Sequence, residues 1–157
     1  MKKRIKPYRH KVQYYETDQM QVVHHSNYIR WFEEARVDFM DQMGFSYREM
    51  EQSGISCPVI EVSAKYMRMV GFGDSTKIKT TIEIYNGIKL ILSYQVISEE
   101  TGLVHCTGES QHCFLSNKGK PVFLKKEQPA LHAMFEEYTD IKKRKNDEEK
   151  EGNSNED

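Results

Sequence analysis

The stretch from residue 28 to residue 43 constrains the fold of this chain more than any other. Tyr28, Trp31, Phe32, Ala35, Phe39 and Met43 recur there at helical spacing, while Arg30, Glu33, Glu34, Arg36, Asp38 and Asp41 mostly fall off that line. Each large side chain buried on such a face stabilises by about 1.5–3 kcal/mol, so a helix this rich in aromatic rings belongs inside a core. Its expected span is Asn27 to Met43, with Ser26 or Asn27 as the cap and Gly44 as the stop. Glu33 and Arg36, three residues apart, read as an ordinary ion pair on the helix surface.

The rest of the chain reads as the cover for that helix. Tyr8 to Tyr15 is strand-like, Phe45 to Gln52 is a short helix closed by Ser53-Gly54, and Ile55 to Met69 alternates enough for a long strand with Pro58 at its start or edge. Ser75 to Tyr85 puts Ile78, Thr80, Ile82 and Ile84 on one face and Lys77, Lys79, Thr81 and Glu83 on the other. Asn86-Gly87 is a hairpin turn, and the following run, Ile88 to Ser98, presents Ile88, Leu90, Leu92, Tyr94 and Val96 to the core. Leu103 to Leu115 alternates more weakly and contains Gly108, and Gln128 to Tyr138 is expected to form a terminal helix. One helix among antiparallel strands implies an α+β architecture in which sheet and helix cover each other's apolar faces.

At 157 residues the chain holds one ordinary domain, expected over residues 1–140. From Ile141 onward nearly every residue is charged or polar, so residues 141–157 are expected to be a disordered, solvated tail. Lys and Arg (23) nearly balance Asp and Glu (24), leaving no global field that would draw nucleic acid or anionic lipid. The basic residues Met1 to Lys6 are not followed by an apolar run, and no membrane-length apolar segment occurs, so a cytoplasmic location without membrane insertion is expected. Cys57, Cys106 and Cys113 show no C-x-x-C spacing and read as reduced thiols rather than zinc ligands or nucleophiles.

The block that carries chemistry runs Tyr15-Glu16-Thr17-Asp18-Gln19-Met20-Gln21-Val22-Val23-His24-His25-Ser26-Asn27-Tyr28 and continues through Trp31-Phe32-Glu33 to Ala35-Arg36. It resembles the hotdog-fold thioesterases, in the 4-hydroxybenzoyl-CoA thioesterase branch that includes the Tol-Pal-associated acyl-CoA thioesterases. The family pattern is approximately Y-x-x-T-D-x-x-G-x-V-x-H-x-x-Y, then an aromatic, a Glu and an Ala-Arg pair. Asp18, Val23, His25, Asn27, Tyr28, Glu33, Ala35 and Arg36 fall at matching positions. The resemblance implies an antiparallel sheet wrapped around a central long helix, and a homodimer or homotetramer with sites between subunits. It also implies hydrolysis of an acyl-CoA to a free acid and coenzyme A, with no metal or redox cofactor. Where the family carries a glycine this chain has Gln21, which would be strained at positive φ.

The residues support such chemistry on their own terms. Thioester cleavage needs a nucleophile or activated water and a partner for the charge that develops on the carbonyl oxygen. Asp18 can attack directly or act as a general base on water, and N–H groups near His25 and Ser26, in the first turn of the helix, can polarise the carbonyl. His25 is expected to assist. Gln21, Ser26, Ser63 and Arg68 are the candidates for binding substrate, with Lys118 and Lys120 as further cations for coenzyme A phosphates. Each has a plainer reading: Asp18 as a turn residue, Tyr28, Trp31 and Phe32 as core, the lysines as solvated surface. His24-His25 is a poor metal pair, because adjacent histidines point apart in most backbones and no carboxylate sits at ligand spacing; a packing role for His24 is expected instead. The rivals to a hydrolase are a non-catalytic acyl-CoA binding or sensing module, a carrier-protein thioesterase and a purely structural oligomer.

Overall fold

The computed structural model describes residues 3–139, so the charged segment 141–157 expected as a tail lies outside the described residues. The long apolar helix, α1, spans His25–Met43 and buries Tyr28, Trp31, Phe32, Ala35, Phe39, Met40 and Met43. Around it curls a five-stranded antiparallel sheet in the order β1-β4-β5-β6-β3, from Tyr8–Lys11, Ser75–Tyr85, Lys89–Ser98, Val104–Cys113 and Val59–Tyr66 respectively. A two-stranded ribbon pairs β2 (Ile55–Ser56) with β7 (Leu115–Ser116). The short helices are α2 (Tyr47–Gln52) and α3 (Leu124–Glu127), and residues 129–139 form the terminal helix, seated through buried Leu131, Met134 and Phe135.

Several boundaries differ from the sequence expectation, each for a local reason. The first strand stops at Lys11, because Gln13 caps a 3-10 turn over Tyr14–Glu16. The long strand expected from Ile55 breaks at Pro58, which lacks the N–H a ladder needs, and its two pieces join different sheets. Helix α1 starts earlier than Asn27, since His24 is the residue that caps it. Ile84 and Ile88, expected on the core face, are 49% and 56% exposed. For Ile84 the reason is a register shift after Ile82 that inserts one residue, since a one-residue slip turns a strand inside out; Ile88 lies in the turn, because β5 begins only at Lys89.

Arg36 is the main correction on the helix. Instead of pairing with Glu33 at the surface it is buried, and its guanidinium donates to the Tyr94 hydroxyl at 3.1 Å. From Tyr94 the bonds continue to Ser110 Oγ (2.6 Å), to His112 Nε2 (2.7 Å), and from His112 Nδ1 to the Cys57 carbonyl (3.4 Å). This is why β6 alternates weakly in sequence: two of its core-facing residues, Ser110 and His112, are polar and fully buried. Gly108 in the same strand has a steric reason, because a Cβ there would lie 2.3 Å from Phe32 Cε2 and 2.8 Å from the Ser63 carbonyl. The missing side chain lets Phe32 stack on Tyr94 with centroids 4.5 Å apart, which seats the helix on the sheet.

Candidate active site

The loop between β1 and α1 is held by one buried carboxylate. Glu16 Oε1 accepts from the Gln13 N–H (2.8 Å) and lies 2.7 Å from His10 Nε2, and Oε2 accepts from Trp31 Nε1 at 2.5 Å. Its backbone carbonyl takes the His24 N–H (2.9 Å) and the Asn27 side-chain amide (2.8 Å). Burial alone would push the Glu16 carboxyl up, but the donors from Gln13, Trp31 and His10 together outweigh it and hold the group below its usual range. One residue thus ties β1, the loop and the start of α1 into a fixed arrangement.

Beyond Glu16 the chain makes a tight hairpin. Thr17 bridges Val23, the Asp18 N–H donates to the Val22 carbonyl (2.9 Å), and the Gln21 N–H returns to the Asp18 carbonyl (2.9 Å). Gln21 occupies the left-handed position of this turn at φ 65, the one residue other than glycine with positive φ among those described. The turn keeps its glycine-type geometry, and the glutamine adopts it. Asp18 Oδ1 accepts the Met20 N–H at 2.8 Å, which orients the carboxylate and leaves Oδ2 without a partner among the described residues.

Asp18 opens onto a cavity of about 290 Å³ that it shares with His25 and Arg68. Its walls are Tyr28 and Tyr66, and its remaining lining is apolar: Met20, Val22, Val23, Met67 and Met69. At the helix N-terminus the donors are unequally available. The Ser26 N–H is taken by His24 Nδ1 (3.2 Å), which also lies 2.8 Å from Ser26 Oγ, and Arg30 donates to that same oxygen at 3.1 Å. The Asn27 N–H goes back to the His24 carbonyl. Among the described residues the His25 N–H alone in this turn has no partner, so it is the amide positioned to meet an incoming oxygen.

The other expected residues fall as follows. His24 is exposed and caps the helix rather than packing, and its ring lies 4.1 Å from that of His25, so the two do not point apart. Gln21 and Ser26 border the site without lining the cavity; Ser63, on β3, and Lys118 and Lys120, in the turn after β7, do not line it either. Burial raises the thiols of Cys57 and Cys106 to about 12, although Arg36 partly offsets the rise at Cys57 and a backbone bond that at Cys106, so neither is a thiolate. Tyr66 escaped the sequence reading. Its hydroxyl donates to the His25 carbonyl at 2.9 Å, and its ring meets Tyr28 edge-on at 5.2 Å. Its trace in sequence is the run Tyr66-Met67-Arg68-Met69, where large apolar residues flank an arginine at a strand end.

A family model described as the thioesterase-like superfamily matches residues 12–139, spanning the hairpin, the helix and every strand of the sheet after β1. The chain belongs to the thioesterase-like superfamily. It is a thioesterase, and its sheet wrapped on a single long helix is the hotdog fold. A Bacillus subtilis protein named "Putative acyl-CoA thioesterase YneP" is 33% identical over 125 residues, 80% of this chain and 91% of its own. The Escherichia coli acyl-CoA thioester hydrolase YbgC is 25% identical over 95 residues, 60% of this chain and 71% of its own. Among solved structures, a DHNA-CoA thioesterase from Staphylococcus aureus is 30% identical with a TM-score of 0.83, covering 87% of this thioesterase and 92% of itself.

Proposed function

We propose that this thioesterase hydrolyses acyl-coenzyme A to a free carboxylic acid and coenzyme A, with Asp18 and His25 as its catalytic residues. The observation that carries the reading is that the free Asp18 oxygen and the unpartnered His25 N–H belong to residues lining one cavity. In this mechanism the thioester carbonyl oxygen accepts from the His25 N–H, and the positive end of α1 stabilises the charge that develops on it. Asp18 either attacks the carbonyl carbon, forming an anhydride that water then opens, or takes a proton from the attacking water. The thiolate of coenzyme A leaves and gains a proton, and the acyl carbon keeps the oxygen from water. The His25 ring borders the same carbon and orients the water. Arg68, which has no side-chain partner among the described residues, meets the negative charge of the coenzyme at the rim.

The block around Asp18 favours the 4-hydroxybenzoyl-CoA branch of the superfamily, and no metal or redox cofactor has a part in this chemistry. The working form is a homodimer or homotetramer joined through β3. That strand ends the sheet and exposes Val59, Ile60 and Val62 at 47%, 61% and 36%, an apolar edge that isolated proteins protect. Three free thiols suit a reducing cytoplasm, and among the described residues no helix is long and apolar enough to cross a membrane. The deciding experiment is an assay of released thiol over a panel of acyl-CoAs with wild type and Asp18→Asn. Turnover by wild type and its loss in the variant support the reading; equal turnover by both removes Asp18 from it.

A further inference from the structure

Among the described residues every exposed methionine stands at one place. Met20, Met67 and Met69 are 71%, 54% and 72% exposed and all three line the Asp18 cavity, whereas Met40, Met43, Met50 and Met134 are buried in the core. The three come from two separate segments. Met20 sits in the hairpin that fixes Asp18, and Met67 and Met69 follow β3, held beside that hairpin by the Val22–Gly71 bridge and the bond from the Val23 N–H to the Val70 carbonyl (2.8 Å). Large apolar side chains gathered around a polar centre mark a ligand-contacting surface. A thioether side chain is unbranched and polarisable, so it reshapes itself to irregular apolar partners.

Resting on the acyl-coenzyme A reading above, the position of the thioester carbonyl decides what meets these side chains. With its carbon at Asp18 and its oxygen on the His25 amide, the acyl group must leave the reacting centre along the walls of this cavity, and the apolar walls at its mouth are the methionines. The hydroxyl proton of Tyr66, on the same side, is already given to the His25 carbonyl, so that side chain has no donor left for a polar substituent. We propose that Met20, Met67 and Met69 form an adaptable acyl-receiving mouth that selects apolar acyl groups by the area they bury rather than by a particular functional group.

Such a mouth has a measurable signature. Burying one methylene multiplies affinity about fourfold, so binding of hydrolysis-resistant thioethers of coenzyme A, from butyl to dodecyl, strengthens steadily with chain length in wild type. Calorimetry on the triple variant Met20→Gln, Met67→Gln, Met69→Gln is expected to leave affinity for coenzyme A alone unchanged while losing about half or more of that rise with length. The triple leucine variant, apolar and similar in volume, is expected to keep it. A glutamine variant with the wild-type slope, a wild type with no slope, or equal loss of affinity for coenzyme A itself overturns the proposal. So does a glutamine variant that sediments as a smaller species with its slope intact, since the methionines would then be covered by a second copy. If wild type shows the slope but hydrolyses none of the corresponding thioesters, the mouth stands and the hydrolase reading falls. Hydrolysis by wild type with no slope gives the reverse.

Discussion

Two polar clusters in this molecule use the same kinds of residue to opposite ends. In the core, Arg36, Tyr94, Ser110 and His112 form a file of hydrogen bonds ending on the Cys57 carbonyl. Arg36 can only donate and a carbonyl can only accept, so both ends set the same direction: guanidinium to Tyr94, Tyr94 to Ser110, Ser110 to His112 Nε2, and His112 Nδ1–H to Cys57. The Arg36 guanidinium also meets Tyr47, whose hydroxyl donates to the same Cys57 carbonyl (3.4 Å), while its buried Nε has no partner among the described residues. At the cavity the arrangement is inverted. Among the described residues Asp18 keeps one oxygen free, the His25 amide donates to nothing, and Arg68 stands unpaired, all beside space that a substrate can fill. Polar groups spent on one another make structure, and polar groups held rigid but unspent make a site.

The sharpest test of that contrast is Asp18→Asn. The asparagine Oδ1 can still accept the Met20 N–H, so the hairpin and the melting temperature should survive, while loss of a base or nucleophile lowers kcat by ~10²–10⁴-fold. Released thiol and a thermal melt on the same samples check it. A fall in both would mean that Asp18 is part of the framework.

The core cluster should respond to pH. Burial, reinforced by Arg36, pushes His112 down from 6.5 to about 4. The unfolded chain therefore binds more protons than the native one between these values. This contribution to stability is complete above pH 6.5 and is lost as pH falls through 4, about 3 kcal/mol in all. Denaturant unfolding at pH 7 and pH 4 should show the difference between wild type and His112→Gln shifting by about that amount in favour of the variant. An unchanged difference would mean that the buried histidine is not held neutral by the relay.

Tyr94→Phe cuts the relay at its centre and leaves Ser110 and Arg36 short of partners. It should lower stability by about 1–3 kcal/mol with kcat/KM for any accepted acyl-CoA within twofold or so of wild type. A large loss of turnover without loss of stability would erase the distinction between the two clusters.

The clusters also differ in how far the sequence disclosed them. The helix, the hairpin at Asn86-Gly87 and the terminal helix were legible because apolar period and turn chemistry act locally. Asp18 and His25 were legible because they stand in one contiguous block; Arg68, far beyond that block, was singled out only as a cation for coenzyme A phosphates, and the fold is what puts all three on one cavity. Arg36 was misread, since spacing along a helix says which neighbours a residue could meet but not that a tyrosine 58 positions away receives it. Glu16 and Tyr66 were missed for the same reason, their roles lying in bonds to Trp31 and to the His25 carbonyl. The methionine mouth joins two segments 47 or more residues apart that only the fold brings together.

Gln21 gives the smallest and most discriminating effect. It holds φ 65 in the Asp18 hairpin, a conformation in which a side chain is strained, and it is exposed and outside the cavity lining. Gln21→Gly relieves that strain but frees the unfolded chain, and the two opposing terms leave a net gain of about 0.5–1 kcal/mol. Because the hydrogen bonds of the turn run through its backbone, Asp18 should stay where it is and the ranking of acyl-CoA substrates should not change. A stabilised variant with unaltered selectivity would place Gln21 with the framework, although it stands only three residues from the carboxylate. Altered selectivity would bring its side chain to the substrate and move the border between the two kinds of region.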